Sequence, residues 1–459
     1  MTTPKKSTSK SILNDEQRYC SPGDTVHYNS PPKMFTECDG SFVYDNQGKP
    51  YLDLQMWYSA VNLGYRNPDV AKALYKQMET LPQIASSYLH PGKINLSKKL
   101  ALRTQKSFGE KGKIHFNVGG SQAVEDSIKL MRRTTGKSRF FAFEGSYHGR
   151  TLGATELTSS YRYRKPYGSF ANRAEFVPYP YCFRCPYGKK LDSCNYYCVD
   201  QFERRFESES GSLVDTKTNE SEFGAFYIEA VQGTGGYIFP PKDYFKRLKK
   251  VLDKYGILMV DDEIQMGFYR TGKFWAIEHY GVTPDVLTFG KALTNGMNPL
   301  SGFWAKDKLL TKKAFPAGST HSTFASNPMG TAAGEEVLDL LGHKNLESRI
   351  KRAAKQFEGI CKKLQKKYKV IGDTEVKGLA IRLEICQKDG YTPNRELTDL
   401  IYAEGLKGNL LYKGKRMGLV LDIGGHYKNV FTLSPSFNIS DAEIAMADNL
   451  LNQLFKKFA

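Results

Sequence analysis

An apolar run, Val286-Leu287-Thr288-Phe289, closes on Gly290, and Lys291 follows at once. The run lacks a polar face, so it reads as a strand buried on both sides, the kind found in a parallel sheet covered by helices. Burial at the end of such a strand disfavours the ammonium form. It lowers the lysine pKa from about 10.4 and leaves an amine that is nucleophilic near neutral pH. Such an amine can hold an aldehyde as a Schiff base. Taken alone, the stretch also fits a lysine that snorkels from a strand end into water.

Other apolar runs end in chemistry too. Lys113–Asn117 reads as a short strand, followed by the glycine turn Val118-Gly119-Gly120-Ser121-Gln122-Ala123. A helix follows with Val124, Ile128 and Met131 on one face, and Ser121 is the expected N-cap. Strand, glycine turn and helix start together make an anion cradle, because free amides and the helix dipole point at the ligand. The spacing is neither a Walker loop nor a dinucleotide fingerprint. The strand Arg139–Phe143 leads into Glu144-Gly145-Ser146-Tyr147-His148-Gly149-Arg150-Thr151, a tight loop presenting an aromatic. Phe226–Glu229 precedes the glycine-rich Gln232–Gly236, and a helix over 243–255 leads to the strand Ile257–Val260. That strand ends in Asp261-Asp262-Glu263, acids where ligands bind in open α/β sheets. A helix cap or loop acid is the competing reading.

The flanks are organised differently. Residues 1–16 are polar and basic, with no apolar core segment, and read as a flexible or loosely docked tail rather than a signal peptide. Ser41–Leu54 reads as a hairpin turning at Asp45–Gly48, and residues 68–82 and 94–106 have helical spacing. Trp57 and Tyr58 are core residues by default, or a pocket wall. A helix is expected over 329–342. Beyond it lie a lysine-rich helix over 346–369, strands near 379–385 and 417–422, and a last helix over 440–457. A chain of 459 residues is too long for one simple core. The expected division is a tail (1–16), an N-terminal segment joining the small domain (17–67), a large domain (68–340) and a small α+β domain (341–459). No apolar run reaches the length of a membrane span. The net charge of +18 is spread along the chain, which favours a basic enzyme surface over a nucleic-acid partner. Cys182, Cys185, Cys194 and Cys198 form a cluster near 180–200 that could hold zinc or remain free structural thiols. The expectation is free thiols and no metal.

Together these motifs resemble the class III, or ω-, aminotransferases. The resemblance spans about residues 30–457 and keeps the family's order. Gly-Ser-x-Ala opens a helix, then come Tyr-His-Gly-Arg-Thr, Gln-Gly-x-Gly-Gly, Asp-Glu-Ile-Gln-x-Gly-x-x-Arg-Thr-Gly, Gly-Lys-Ala and Ser-Thr-Phe-x-x-Asn-Pro. It implies the aspartate-aminotransferase-like fold type I of the transferases dependent on pyridoxal 5′-phosphate (PLP), with a large mostly parallel sheet domain and a smaller α+β domain. It implies transfer of an amino group between an amine or ω-amino acid and a keto acid, in a cytoplasmic homodimer with shared sites. A lyase, decarboxylase or racemase on the same fold is the alternative. Lys291 is implied as the Schiff-base lysine and Asp262 as the partner of the pyridinium nitrogen. Gly120, Ser121 and Gln122 belong to the phosphate cradle, with Tyr147 stacked on the ring and His148 and Gly149 shaping its loop. Glu229 and Gln265 line the cofactor, and Thr323 reaches the phosphate of the neighbouring subunit. Trp57, Tyr58, Thr234 and Thr432 face the substrate. Thr234 and Thr432 depart from the family's usual Glu and Arg, which leaves Arg164 or Arg382 as a substitute grip for a substrate carboxylate.

Overall fold

The computed structural model describes residues 9–168, 170, 174–207 and 213–458. At its centre is a seven-stranded sheet. Its strands are β1 (Gly112–Asn117), β2 (Arg139–Phe143), β3 (Ala174–Val177), β4 (Phe223–Ile228), β5 (Leu258–Asp262), β6 (Val286–Phe289) and β7 (Ser301–Lys306). Their order is β1-β7-β6-β5-β4-β2-β3. Only β7 runs against its neighbours β6 and β1; the pairs among β6, β5, β4, β2 and β3 are all parallel. All six residues of β4 and all four of β6 are buried, as continuous apolar runs require.

Helices close both faces. The helix Gly120–Thr135 buries Val124, Ile128 and Met131 on the face expected from its spacing. Tyr244–Lys254 buries Phe245, Leu248, Val251 and Leu252. The hairpin Phe42–Asp45/Pro50–Asp53 turns at Asp45–Gly48, and the Gly48 amide donates to Asp45 O at 2.8 Å. Pro50–Asp53 also pairs in parallel with the distant strand Lys415–Val420, so the two ends of the chain share one sheet. A second small sheet joins Ile371–Lys377, Ala380–Ile385, Val430–Leu433 and Ile423–Gly424. Arg270 ties the large sheet's side to this region. Fully buried, it donates to the carbonyls of Leu379 (3.0 Å) and Pro435 (2.8 Å) and to Asn62.

One expectation changes, that for Trp57 and Tyr58. Of the tail, residues 1–8 lie outside the described residues, and Ser9–Tyr19 is a helix that buries none of its residues. Trp57 and Tyr58 are not core: they are 55% and 39% exposed. They belong to a turn, Met56–Ser59, whose four residues all have left-handed φ, from 45° to 65°. That conformation costs about 1–2 kcal/mol per residue for L-amino acids. The Asp53 carboxylate secures it by accepting the amides of Gln55 (2.7 Å) and Met56 (2.9 Å).

Candidate active site

The C-terminal ends of β4, β5 and β6 converge on one cavity of about 210 Å³. Gly120, Ser121, Tyr147, His148, Gly149, Glu229, Asp262, Gln265 and Lys291 border it, with Val231, Ile264 and Met266. Strand alternation explains which acid faces it. Successive residues of β5 point to opposite sides, so Asp262 borders the cavity while Asp261 turns away, fully buried. Thr288 on β6 stands opposite Asp262 in the register, and its hydroxyl donates to Asp262 Oδ1 at 3.1 Å. The Ile264 amide reaches the same oxygen at 3.1 Å, and His148 Nδ1 donates to Oδ2 at 2.8 Å. Burial alone would lower the His148 pKa; the hydrogen bond and charge of Asp262 outweigh it and raise it. The other ring nitrogen, His148 Nε2, is buried with no partner.

Lys291 follows β6 with φ 42°, a left-handed geometry that is rare for a non-glycine residue and collects at functional sites. Burial pushes its amine below the ordinary lysine range, against the opposing pull of Asp262, Glu229 and Asp422. Burial also raises Glu229 to about 7, although its oxygens accept the amides of Tyr147 (3.0 Å) and Gly233 (2.8 Å).

The helix at Gly120 is capped differently from the sequence expectation. Gly119, not Ser121, is the N-cap, and it has no side chain to occupy the first-turn amides. Those amides stay free for an anion. Ser121 lies inside the first turn, where its hydroxyl accepts the Arg150 amide at 3.2 Å and links helix to loop. Gly149 sits at φ 129°, and a Cβ there would run into the Ser121 hydroxyl. Gln122 does not border the cavity; its side-chain oxygen accepts the Val118 amide at 3.1 Å.

The remaining predicted residues lie elsewhere. Thr323 is exposed and outside the cavity of its own chain. Thr234 borders a neighbouring cleft with Arg164 and Lys428. Thr432 is buried, and its hydroxyl donates to Asp422 Oδ2 at 2.8 Å. Trp57 packs beside Gly296, just after the Lys291 turn. Arg382 cannot replace the missing arginine: it is buried and bound to Asp373 (2.8 Å), Glu384 and Tyr181. The four clustered cysteines are free and border one small cavity. Burial, then the neighbouring thiols, pushes Cys182 up to about 12. Sequence reasoning missed Thr288, Asp422 and Gln55. Asp422 carried the same signal as Asp262, an acid closing the apolar run Leu419-Val420-Leu421.

An enclosed amine, a carboxylate fixed at both oxygens, an unpartnered imidazole nitrogen and an uncapped helix start form a donor set that fits PLP. Fold and site thus define a PLP-dependent enzyme of fold type I. Residues 25–455 match the class-III aminotransferase family, and the chain belongs to it. It is 31% identical over 412 residues to a leucine/methionine racemase of Thermococcus litoralis, covering 89% of this chain and 87% of that protein. It is 28% identical over 439 residues to a diaminobutyrate–2-oxoglutarate aminotransferase of Rhizobium meliloti, covering 93% and 88%. A solved Bacillus anthracis aminotransferase superposes with a TM-score of 0.83 at 25% identity, covering 99% of this chain and 100% of that one. The chain is a PLP-dependent aminotransferase that moves an amino group between an amino donor and a keto acid.

Proposed function

We propose that this enzyme takes an amine or ω-amino group as donor, uses glutamate poorly, and prefers a small keto acid such as pyruvate as acceptor. One observation carries this reading: the Thr234 and Thr432 positions hold no Glu–Arg pair, and Thr432 is engaged with a carboxylate. A planar two-toothed grip on a substrate α-carboxylate is therefore missing there. A panel of donors and acceptors tests it. Glutamate with 2-oxoglutarate as the best pair defeats the reading, and loss of that activity in Arg164→Ala would then locate the carboxylate grip.

When bound, PLP supplies an aldehyde that carries the amino group and a ring that accepts the electron pair left at the donor's Cα. Lys291 is the proposed attachment point and base. Burial favours its neutral form, the form that would move the proton between the donor Cα and the cofactor C4′. Asp262, oriented by His148 and Thr288, would keep the proton on the ring nitrogen. The first-turn amides at Gly120 and Ser121 would hold the phosphate, Tyr147 would cover the ring, and Gln265 would lie near the phenolic oxygen; all four residues border the cavity.

The proposed assembly is a homodimer with Thr323 serving the partner's phosphate. Exposed apolar side chains support it: Tyr88 (67%), Leu89 (87%) and Phe324 (69%). The proposed location is the cytoplasm, supported by the eight free cysteines; among the described residues no helix is long and apolar enough to cross a membrane. The proposed division into domains keeps 68–340 as the cofactor-binding unit. Its support is the pairing of Pro50–Asp53 with Lys415–Val420 outside that unit. Racemisation is the second reading, favoured by the relative from Thermococcus litoralis.

A further inference from the structure

Asp422 is a carboxylate that the proposed chemistry does not use. Partly accessible, it lies on the wall of a second cavity of about 210 Å³, with Tyr28, Gln55, Tyr58 and Tyr402. Thr432 Oγ1 donates to one carboxylate oxygen at 2.8 Å and Gln55 Nε2 to the other at 3.1 Å. Both donors are neutral, so the group is oriented without a counter-ion; burial raises its pKa, and the hydrogen bonds from Thr432 and Gln55 oppose that rise. Among the described residues no cation stands within ion-pairing distance of it. Lys33, on the same wall, is engaged with Asp45 at 2.7 Å. Lys428 acts on Asp422 at longer range, and its own amine is pushed down by burial and by Arg162 and Arg395.

The turn beside Asp422 also touches the Lys291 cavity: Ser59 meets the Tyr237 hydroxyl at 3.2 Å, and Gln265, on the wall of that cavity, donates to the same hydroxyl at 3.3 Å. With Asp262 and Glu229, Asp422 is one of three carboxylates acting on the Lys291 amine. The strained turn Met56–Ser59 sets the ring of Tyr58 beside it, and Gln55, at the start of that turn, supplies one of its hydrogen bonds. A strained backbone held by Asp53 is what a site-building segment needs to persist. Position 432 therefore inverts the sign of recognition. An arginine there offers positive charge to a substrate, whereas Thr432 steadies a negative charge of the protein. A carboxylate oriented without a counter-ion favours a cation beside it, and an aromatic wall adds to that preference.

We propose that Asp422 binds a second positive charge on the amino donor, so that the preferred donors are diamines and other amines with a cationic far end, with Tyr58 lying against that end. The proposal rests on the aminotransferase reading of the site.

The test compares 1,4-diaminobutane with butylamine on the holoenzyme, by calorimetric titration and by kcat/KM with pyruvate. L-ornithine against L-norvaline is a second pair that separates a free diamine from a basic amino acid. The wild type should favour the member carrying the additional ammonium group in at least one pair by about tenfold or more, the scale of a hydrogen bond to a charged group. Asp422→Asn should collapse that ratio in both binding and turnover, and Asp422→Glu should keep part of it. A ratio near one in the wild type for both pairs, or one that Asp422→Asn leaves unchanged, overturns the proposal. Charge-dependent binding without conversion of the cofactor keeps the charge site and removes the aminotransferase reading. Conversion of butylamine as readily as the diamine does the reverse.

Discussion

At the scale of single residues, the site depends on which neighbour in a pair faces the cavity. Asp262 stands with Lys291, and Asp261 lies behind the sheet beside Glu263. Lys291→Ala should abolish turnover and the visible absorbance of the bound cofactor while leaving the fold intact. Borohydride reduction and peptide mapping of the wild type should label Lys291, and a different labelled lysine removes the assignment. Asp262→Asn should raise the barrier by about 3–4 kcal/mol, on the order of 10²–10³ in kcat, the scale of losing one preorganised charge contact. Asp261→Asn should cost far less; the opposite order moves the role by one residue. Asp261 also predicts a pH effect. Burial, then the charge of Glu263, raises its pKa well above the usual carboxylate range, so the folded chain holds a proton that the unfolded chain releases. Its contribution is therefore full below about pH 4 and is lost as pH rises towards the folded pKa. Relative to wild type, Asp261→Asn should shift the melting temperature more favourably at pH 8 than at pH 5. An equal shift at both values removes this account.

At the scale of elements, strand ends were the legible part. The runs closing on Lys291 and on Asp262 are continuous and apolar because both faces of β5 and β6 are covered, and that pattern survives in sequence. The antiparallel β7 was not legible: Ser301–Lys306 is equally buried but carries no alternation to mark its direction. Serine favours the cap position, which points to Ser121, yet an open anion cradle is better served by Gly119. The left-handed turn at Met56–Ser59 has no glycine to announce it; contacts of Asp53 and Tyr237, the latter with Ser59 at 3.2 Å, hold it. Asp422 closes a run like that of Asp262 but is not legible as a site residue, because its partners Gln55 and Thr432 are far from one another in the chain. The cysteine loop packs on the small sheet through Arg184, which binds Glu384 and stacks 4.8 Å from the Tyr391 ring centre. Its proposed role is structural. Metal analysis should find no stoichiometric zinc, and one zinc per chain, lost together with activity to a chelator, contradicts that.

At the scale of the whole molecule, the shared-site dimer and the reaction itself are the claims at stake. Thr323 does not border the Lys291 cavity of its own chain, so each is proposed to serve a different site of the dimer. Mixing Lys291→Ala and Thr323→Ala subunits should restore one intact site per hybrid dimer, with activity above both parents; activity no higher than the parental average removes the shared site. The central claim, amino-group transfer through the Lys291 cavity, is tested most directly by a single turnover without acceptor. Holoenzyme mixed with excess amine donor should convert its cofactor fully to the amine form and release one equivalent of carbonyl product per site, and added pyruvate should restore the starting spectrum. A cofactor spectrum that returns unaided, with donor epimerised or cleaved and no carbonyl product retained in stoichiometric amount, would contradict the account.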